Sequence, residues 1–195
     1  MKIGDILYFS PNYKFNQIDW NNKEELIKIF KDRVDGFYLN PADDLNKKEY
    51  GFVAGLVCVT LIDFIARISM GKHGRSRFEK WLCKNIPDFN EKDSNSSNRS
   101  LARRFYEDFR NGLIHEGRIK KCGQFSYDFK NTVSVNDGIM LINPETLLKD
   151  LKKVFAEYIR EVKENQEAFG KLKEALKRDF QGDVEYSVTG GDYTS

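Results

Sequence analysis

Apolar positions recur at the helical period over most of the chain. From Ile18 to Tyr38 they fall at Leu26, Ile27, Ile29, Phe30, Val34 and Phe37, near the 3.6-residue repeat of an amphipathic helix. The Asn40-Pro41 step predicts its end, because a residue before proline disfavours the helical region. Asn46 to Met70 predicts a long central helix. Leu56, Val57, Val59, Thr60, Leu61, Phe64, Ile65 and Ile68 make it apolar on most sides and therefore buried, and Gly71 stops it. A shorter helix is expected over Phe78 to Ile86, with Phe78, Trp81 and Leu82 inward and Pro87 after it. Residues 93–97, Asp-Ser-Asn-Ser-Ser, read as a loop.

Arg99 to His115 forms the next predicted helix, with Leu101, Phe105, Phe109 and Leu113 as its core stripe. Ser100 or Asn98 caps it, and Gly117 closes it. Gln124 to Asp128 and Thr132 to Ile142 alternate around Asn136-Asp137-Gly138, so a small hairpin is expected over residues 124–142. Pro144 then opens a long helix through about Phe180, with Leu147, Leu148, Leu151, Val154, Phe155, Tyr158, Ile159 and Val162 on its apolar face. Past Val162 the face thins to Phe169, Leu172 and Leu176, which predicts a segment that projects or packs on a partner. Residues 182–195 read as a frayed tail. The pattern is thus that of an all-α domain over residues 1–181 with one hairpin insertion and no internal repeat.

Composition adds little until charge is placed along the chain. The 195 residues carry 32 basic and 30 acidic side chains. Residues 67–121 hold 14 of the bases against 7 acids, between a segment 1–66 of net −2 and a segment 122–195 of net −3. Such an island attracts phosphate, or simply solvates helix surfaces. The start shows no apolar stretch followed by a cleavage site, so no leader peptide is expected. The apolar run Gly51 to Ile62 reads as too short for a membrane span and meets Asp63 and Arg67. Cys58, Cys83 and Cys122 have no metal spacing, and with only His73 and His115 in the chain no metal site is expected. Three reduced thiols in a cytoplasmic protein is the expectation.

One constellation carries chemistry: Arg110-Asn111-Gly112-Leu113-Ile114-His115. On an ideal helix Asn111 and His115 share a face, with Glu107 one turn earlier, while Arg110 lies about 140° round from His115. An arginine fork suits phosphate oxygens, and imidazole exchanges protons near neutral pH. Together they are a kit for cleaving RNA through its own 2′-hydroxyl. That reaction wants an acid and a base, which a two-fold dimer supplies by adding a second His115 and Arg110. Gly112 fits, because it lets another backbone approach closely. The plainer readings are a helix-end cation for His115 and a pair with Glu107 or Glu116 for Arg110. Asp63 is expected to pair with Arg67, four residues on.

Arg110-Asn-x-x-x-His115 resembles the R-x4-6-H signature of the HEPN superfamily, including the polar residue directly after the arginine. Leu61-Ile-Asp-Phe-Ile-Ala-Arg67, Phe78-Glu-Lys-Trp-Leu82 and the run from Phe105 to Gly117 fall in the order seen in prokaryotic HEPN proteins, over roughly residues 20–165. The resemblance implies a dimerising bundle of four to five helices. It also implies a metal-independent endoribonuclease without a cofactor, often a toxin or anti-phage effector with an antitoxin or defence partner. Arg110 and His115 would be catalytic and Asn111 supporting; Glu107 and Asp63 are weaker candidate supports, from the helix geometry rather than from the resemblance. Lys72, Arg75, Arg77, Arg103, Arg104 and Arg118 are candidate RNA contacts. In one subgroup a tyrosine two residues after the histidine is modified; here that position is Gly117. Some members have lost activity and serve as RNA- or protein-binding modules, which stands as the alternative, with a purely structural helical scaffold behind it.

Overall fold

The computed structural model describes residues 1–3, 6–71, 74–93 and 96–189. Among the described residues the protein is mostly helical, 68%, with three small sheets. It divides into two compact units, Met1–Asn40 with Ala156–Ser195, and Pro41–Phe155.

In the first unit, β1 (Lys2–Ile3) pairs antiparallel with β2 (Ile6–Leu7), and a 3-10 turn at Phe15–Gln17 precedes α1 (Lys23–Val34). The helix starts at Lys23 rather than near Ile18, because the Asn22 side chain accepts the Glu25 N–H at 3.1 Å and fixes the first turn. It also does not end at Asn40-Pro41. A π-helical turn, Asp35–Leu39, leads into α2 (Asn40–Lys47). The Asn40 N–H bonds back five residues to the Asp35 carbonyl, so the ladder has already changed register where Pro41 brings no donor. Gly36 is required in that turn: a Cβ there would lie 2.3 Å from Cγ of Pro11.

The long C-terminal helix is two helices, α7 (Pro144–Glu164) and α8 (Gln166–Thr189). Asn165 breaks it: its Oδ1 accepts the N–H groups of Glu167 at 2.8 Å and Ala168 at 3.2 Å, capping a new helix. Nor does the distal part project. Phe169, Leu172, Leu176 and Phe180 are buried, and the Phe180 ring stands 5.1 Å from Phe9 and 6.0 Å from Phe15. The helix continues to Thr189 where a tail was expected from 182; residues 190–195 lie outside the described residues.

In the second unit, α3 (Gly51–Met70) buries a long apolar run from Ala54 to Ile68, and α4 (Arg75–Asn85) adds Phe78, Trp81 and Leu82. The expected helix from Asn46 is interrupted at residues 48–50, where the Leu45 carbonyl accepts from both Lys48 and Tyr50 and Glu49 takes φ 55°. By length and composition α3 is apolar enough to cross a membrane, with a mean hydropathy of 2.0 and 56% of the stretch buried inside the fold. That differs from the short run read at Gly51 to Ile62: Phe64, Ile65 and Ile68 carry the apolar stretch past Asp63 and Arg67.

The expected loop at 93–97 is a strand pair, β3 (Lys92–Asp93) with β4 (Ser96–Ser100); residues 94 and 95 lie outside the described residues. Next come α5 (Leu101–Arg104), a π-helical turn at Phe105–Arg110, and α6 (Asn111–Glu116) as one helix. Ser100 caps it, accepting the Arg103 N–H at 3.2 Å. Gly117 ends it in the left-handed region, φ 64°. A row of rings runs along its inner side. Phe105 packs on Phe78, Phe89 and Phe109 with centroids 6.1, 5.0 and 5.2 Å away, and Phe109 on Phe125 at 5.4 Å. The hairpin expected at 124–142 is a three-stranded sheet. β6 (Val133–Asn136) and β7 (Ile139–Ile142) are the antiparallel pair, turning at Asp137 and Gly138 with φ 47° and 78°. β5 (Gln124–Phe125) joins β7 in parallel.

Candidate functional site

Three elements of the second unit place the candidate side chains: α3 carries Asp63, α4 carries Arg77, and the π turn with α6 carries Arg110, Asn111 and His115. Arg110 ends the π turn, a distortion frequent at functional sites. It does not stand round the helix from His115. Its Nη1 lies 3.2 Å from Nε2 of His115 and 3.3 Å from Oδ1 of Asn111. A guanidinium has no acceptor, so a hydrogen bond between the two has Nε2 as acceptor, which requires the Nδ1–H tautomer. His115 is exposed, whereas the Arg110 side chain is 20% exposed. Arg110 also lies over the Tyr106 ring, 5.5 Å from its centroid.

Neither Glu107 nor Glu116 is Arg110's partner. Its Nη2 donates to Oδ2 of Asp63 at 2.9 Å, 47 residues away. Asp63 in turn is not held by Arg67: its Oδ1 accepts from Nη2 of Arg77 at 3.2 Å. The i,i+4 rule failed here because the carboxylate leans toward α4 and the π turn rather than along its own helix.

Glu107 leaves the stripe expected of it, because the π turn adds a residue between it and Asn111's face and shifts the phase. It receives Nε of Arg103 at 2.9 Å and faces Nη1 of Arg99 at 3.1 Å and Nη1 of Arg75 at 3.6 Å. Burial opposes its ionisation, but the Arg103 hydrogen bond and the charges of Arg99, Arg103 and Lys121 outweigh it and hold the carboxyl below its usual value. Glu79, nearby, goes the other way: burial pushes it up against the pull of Arg75 and Arg103.

The candidate RNA contacts divide sharply. Arg104 is 3% exposed and bonds Asp93 at 3.1 Å, Asp108 at 3.3 Å and the Gly138 carbonyl at 2.6 Å, tying three segments together. It offers nothing to a ligand. Arg77 is likewise buried. Arg75, Arg103 and Arg118 are surface cations, Arg118 paired with Glu116 at 2.7 Å; Lys72 lies outside the described residues. The buried Asp93–Arg104–Asp108 set had one signal in the sequence, the i,i+4 spacing of Arg104 and Asp108.

Gly112 does admit a close backbone, but that of its own chain. A Cβ there would lie 2.3 Å from the Arg118 carbonyl, so its bare side is filled by the return loop. In the first unit a separate cavity of about 450 Å³ is lined by Lys23, Glu24, Ile27, Lys28, Lys31 and Lys163; none of the sequence-predicted residues lines it. Among the described residues no group of three or more His, Cys, Asp or Glu side chains is placed to hold a metal ion.

Comparison with protein-family models, with curated proteins and with solved structures returns no significant match for this chain.

Proposed function

We propose that the chain is a metal-independent endoribonuclease of the HEPN kind, a cytoplasmic toxin or defence effector that cleaves RNA at a cleft shared by two copies. One observation carries the reading: Arg110 and His115, five apart in sequence, meet at 3.2 Å on an exposed helix end. Asp63 holds Arg110 from the other side. This is a paired cation and proton acceptor with the imidazole exposed to solvent, which suits a phosphodiester.

In this reading Nη1 of Arg110 leaves Nε2 for a phosphate oxygen as RNA enters, which frees the Nε2 lone pair. His115 takes the proton of the 2′-hydroxyl, the 2′-oxygen attacks phosphorus, and the bond to the 5′-oxygen breaks. The partner copy's His115, protonated, gives its proton to that leaving oxygen. Arg110 stabilises the charge that develops on the phosphorane. Asn111 keeps the Arg110 fork oriented through its Oδ1.

The test is cleavage of total cellular RNA in EDTA by wild type, R110A and H115A, each checked for folding and dimer mass. Cleavage by wild type alone, leaving 2′,3′-cyclic phosphate ends, is the expected result. Intact RNA with folded, dimeric wild type moves the binding-module reading ahead. Equal cleavage by all three rejects the residue assignment.

A further inference from the structure

Arg77 occupies an unusual position for a side chain in a basic surface segment. It is 8% exposed, and both terminal nitrogens of its fork are engaged: Nη1 donates to the Gly71 carbonyl at 2.9 Å and Nη2 to Asp63 at 3.2 Å. The carboxylate it holds spends its second oxygen on Arg110 at 2.9 Å, and Arg110 meets His115. A continuous chain therefore runs from the start of the α3–α4 connection to the imidazole: Gly71 carbonyl, Arg77, Asp63, Arg110, His115.

Two guanidinium groups share one carboxylate, so the set keeps one net positive charge. Without Arg77, Asp63 would neutralise Arg110 alone, and nothing cationic would remain in excess for a phosphate. Asp63 would also lose one of the two donors that fix its plane, and with it the direction in which Arg110 is pulled. A buried guanidinium costs desolvation, and its one carboxylate partner here is the group that orients Arg110.

We propose that Arg77 is a positioning residue: it acts on Arg110 and His115 through Asp63 and never touches substrate. The kinetic part rests on the ribonuclease reading above; the structural coupling does not.

The experiment compares wild type, R77M, D63N and R77M/D63N, all confirmed folded. The chain has two histidines, so long-range proton–nitrogen spectra of the rings give two systems that H115A assigns. In wild type the His115 ring carries its proton on Nδ1. R77M and D63N each move the His115 signals, and the double variant moves them no further. With RNA, R77M lowers kcat about 100-fold, the scale of a small misplacement of a catalytic group, with KM within about two-fold, and adds no loss to D63N. An arginine that served stability alone would lower the melting temperature and leave the His115 signals and kcat of folded R77M unchanged, whereas one that acted on the site by a route other than Asp63 would add its loss to that of D63N. Should R77M not fold, R77K serves the same comparison, because an ammonium does not hold two acceptors as a planar fork does.

Folded R77M with wild-type His115 signals and wild-type kcat overturns the proposal, as do effects that add in the double variant. If wild type cleaves no RNA while the signals move as described, the coupling stands and the ribonuclease reading falls.

Discussion

Gly112 sits inside the Arg110–His115 stretch, and its missing side chain is what lets residues 117–120 fold back onto α6. An alanine Cβ would meet the Arg118 carbonyl at 2.3 Å, and backbone yields less readily than a side-chain tip. G112A is therefore expected to lose about 1–3 kcal/mol, read as a lowered urea midpoint at unchanged slope. Cysteines give a second residue-scale prediction. Cys58 is fully buried and its thiol is pushed up to about 12 by desolvation, whereas Cys122 is exposed. A maleimide at pH 7.5 should label Cys122 in the native protein and reach Cys58 only after unfolding, because the thiolate is the reactive form; rapid native labelling of Cys58 would contradict its burial. At this scale the sequence was readable where chemistry is local. Arg110, Asn111 and His115 lie within six residues and stood out as a group. Their support did not, since Asp63 is 47 residues from Arg110 and 14 from Arg77, and no helical spacing rule reaches that far.

Among the elements, the helices joined by side-chain caps and clasps are the ones whose stability is easiest to perturb selectively. N165A removes the acceptor of two N–H groups at the start of α8 and should cost about 1 kcal/mol. Thermal melts of N165A against N165D, which keeps an acceptor, check it. A clasp between α2 and α7 responds to acid. Hydrogen bonds from Lys152 and then Lys47 hold the Asp43 carboxyl down to about 2. An unfolded aspartate titrates near 3.9, so the clasp contributes fully above about pH 4 and its contribution is lost as pH falls toward 2. The Tm advantage of wild type over D43N should shrink across that window and vanish below it; a constant difference would refute the clasp. Asp43 is about one-third exposed, so solvent screening keeps the effect small. Element by element, periodic runs were legible: Phe78, Trp81 and Leu82 do face inward, and the Leu101/Phe105/Phe109/Leu113 row is buried. The two π turns were not, because an added residue inside a helix leaves the apolar period nearly intact while rotating the residues beyond it. That single insertion is why Glu107 and Asn111, one helical turn apart on paper, serve different networks.

For the molecule as a whole the ribonuclease proposed above turns on whether it needs two chains. One copy carries a single His115 beside a single Arg110, while transesterification needs a base for the 2′-hydroxyl and an acid for the 5′-oxygen. The proposed shared cleft holds two of each. Wild type refolded with an equal amount of H115A should therefore keep about a quarter of the rate of the same total of wild type, because random pairing leaves about a quarter of the dimers with both histidines and a mixed cleft lacks either the acid or the base. A site contained in one chain would keep about half of that rate. Dimer mass by light scattering, before and after mixing with a tagged H115A, shows whether the subunits have exchanged. If they exchange and about half of the rate remains, the site lies within one chain, and the missing acid must then come from another group of the same chain.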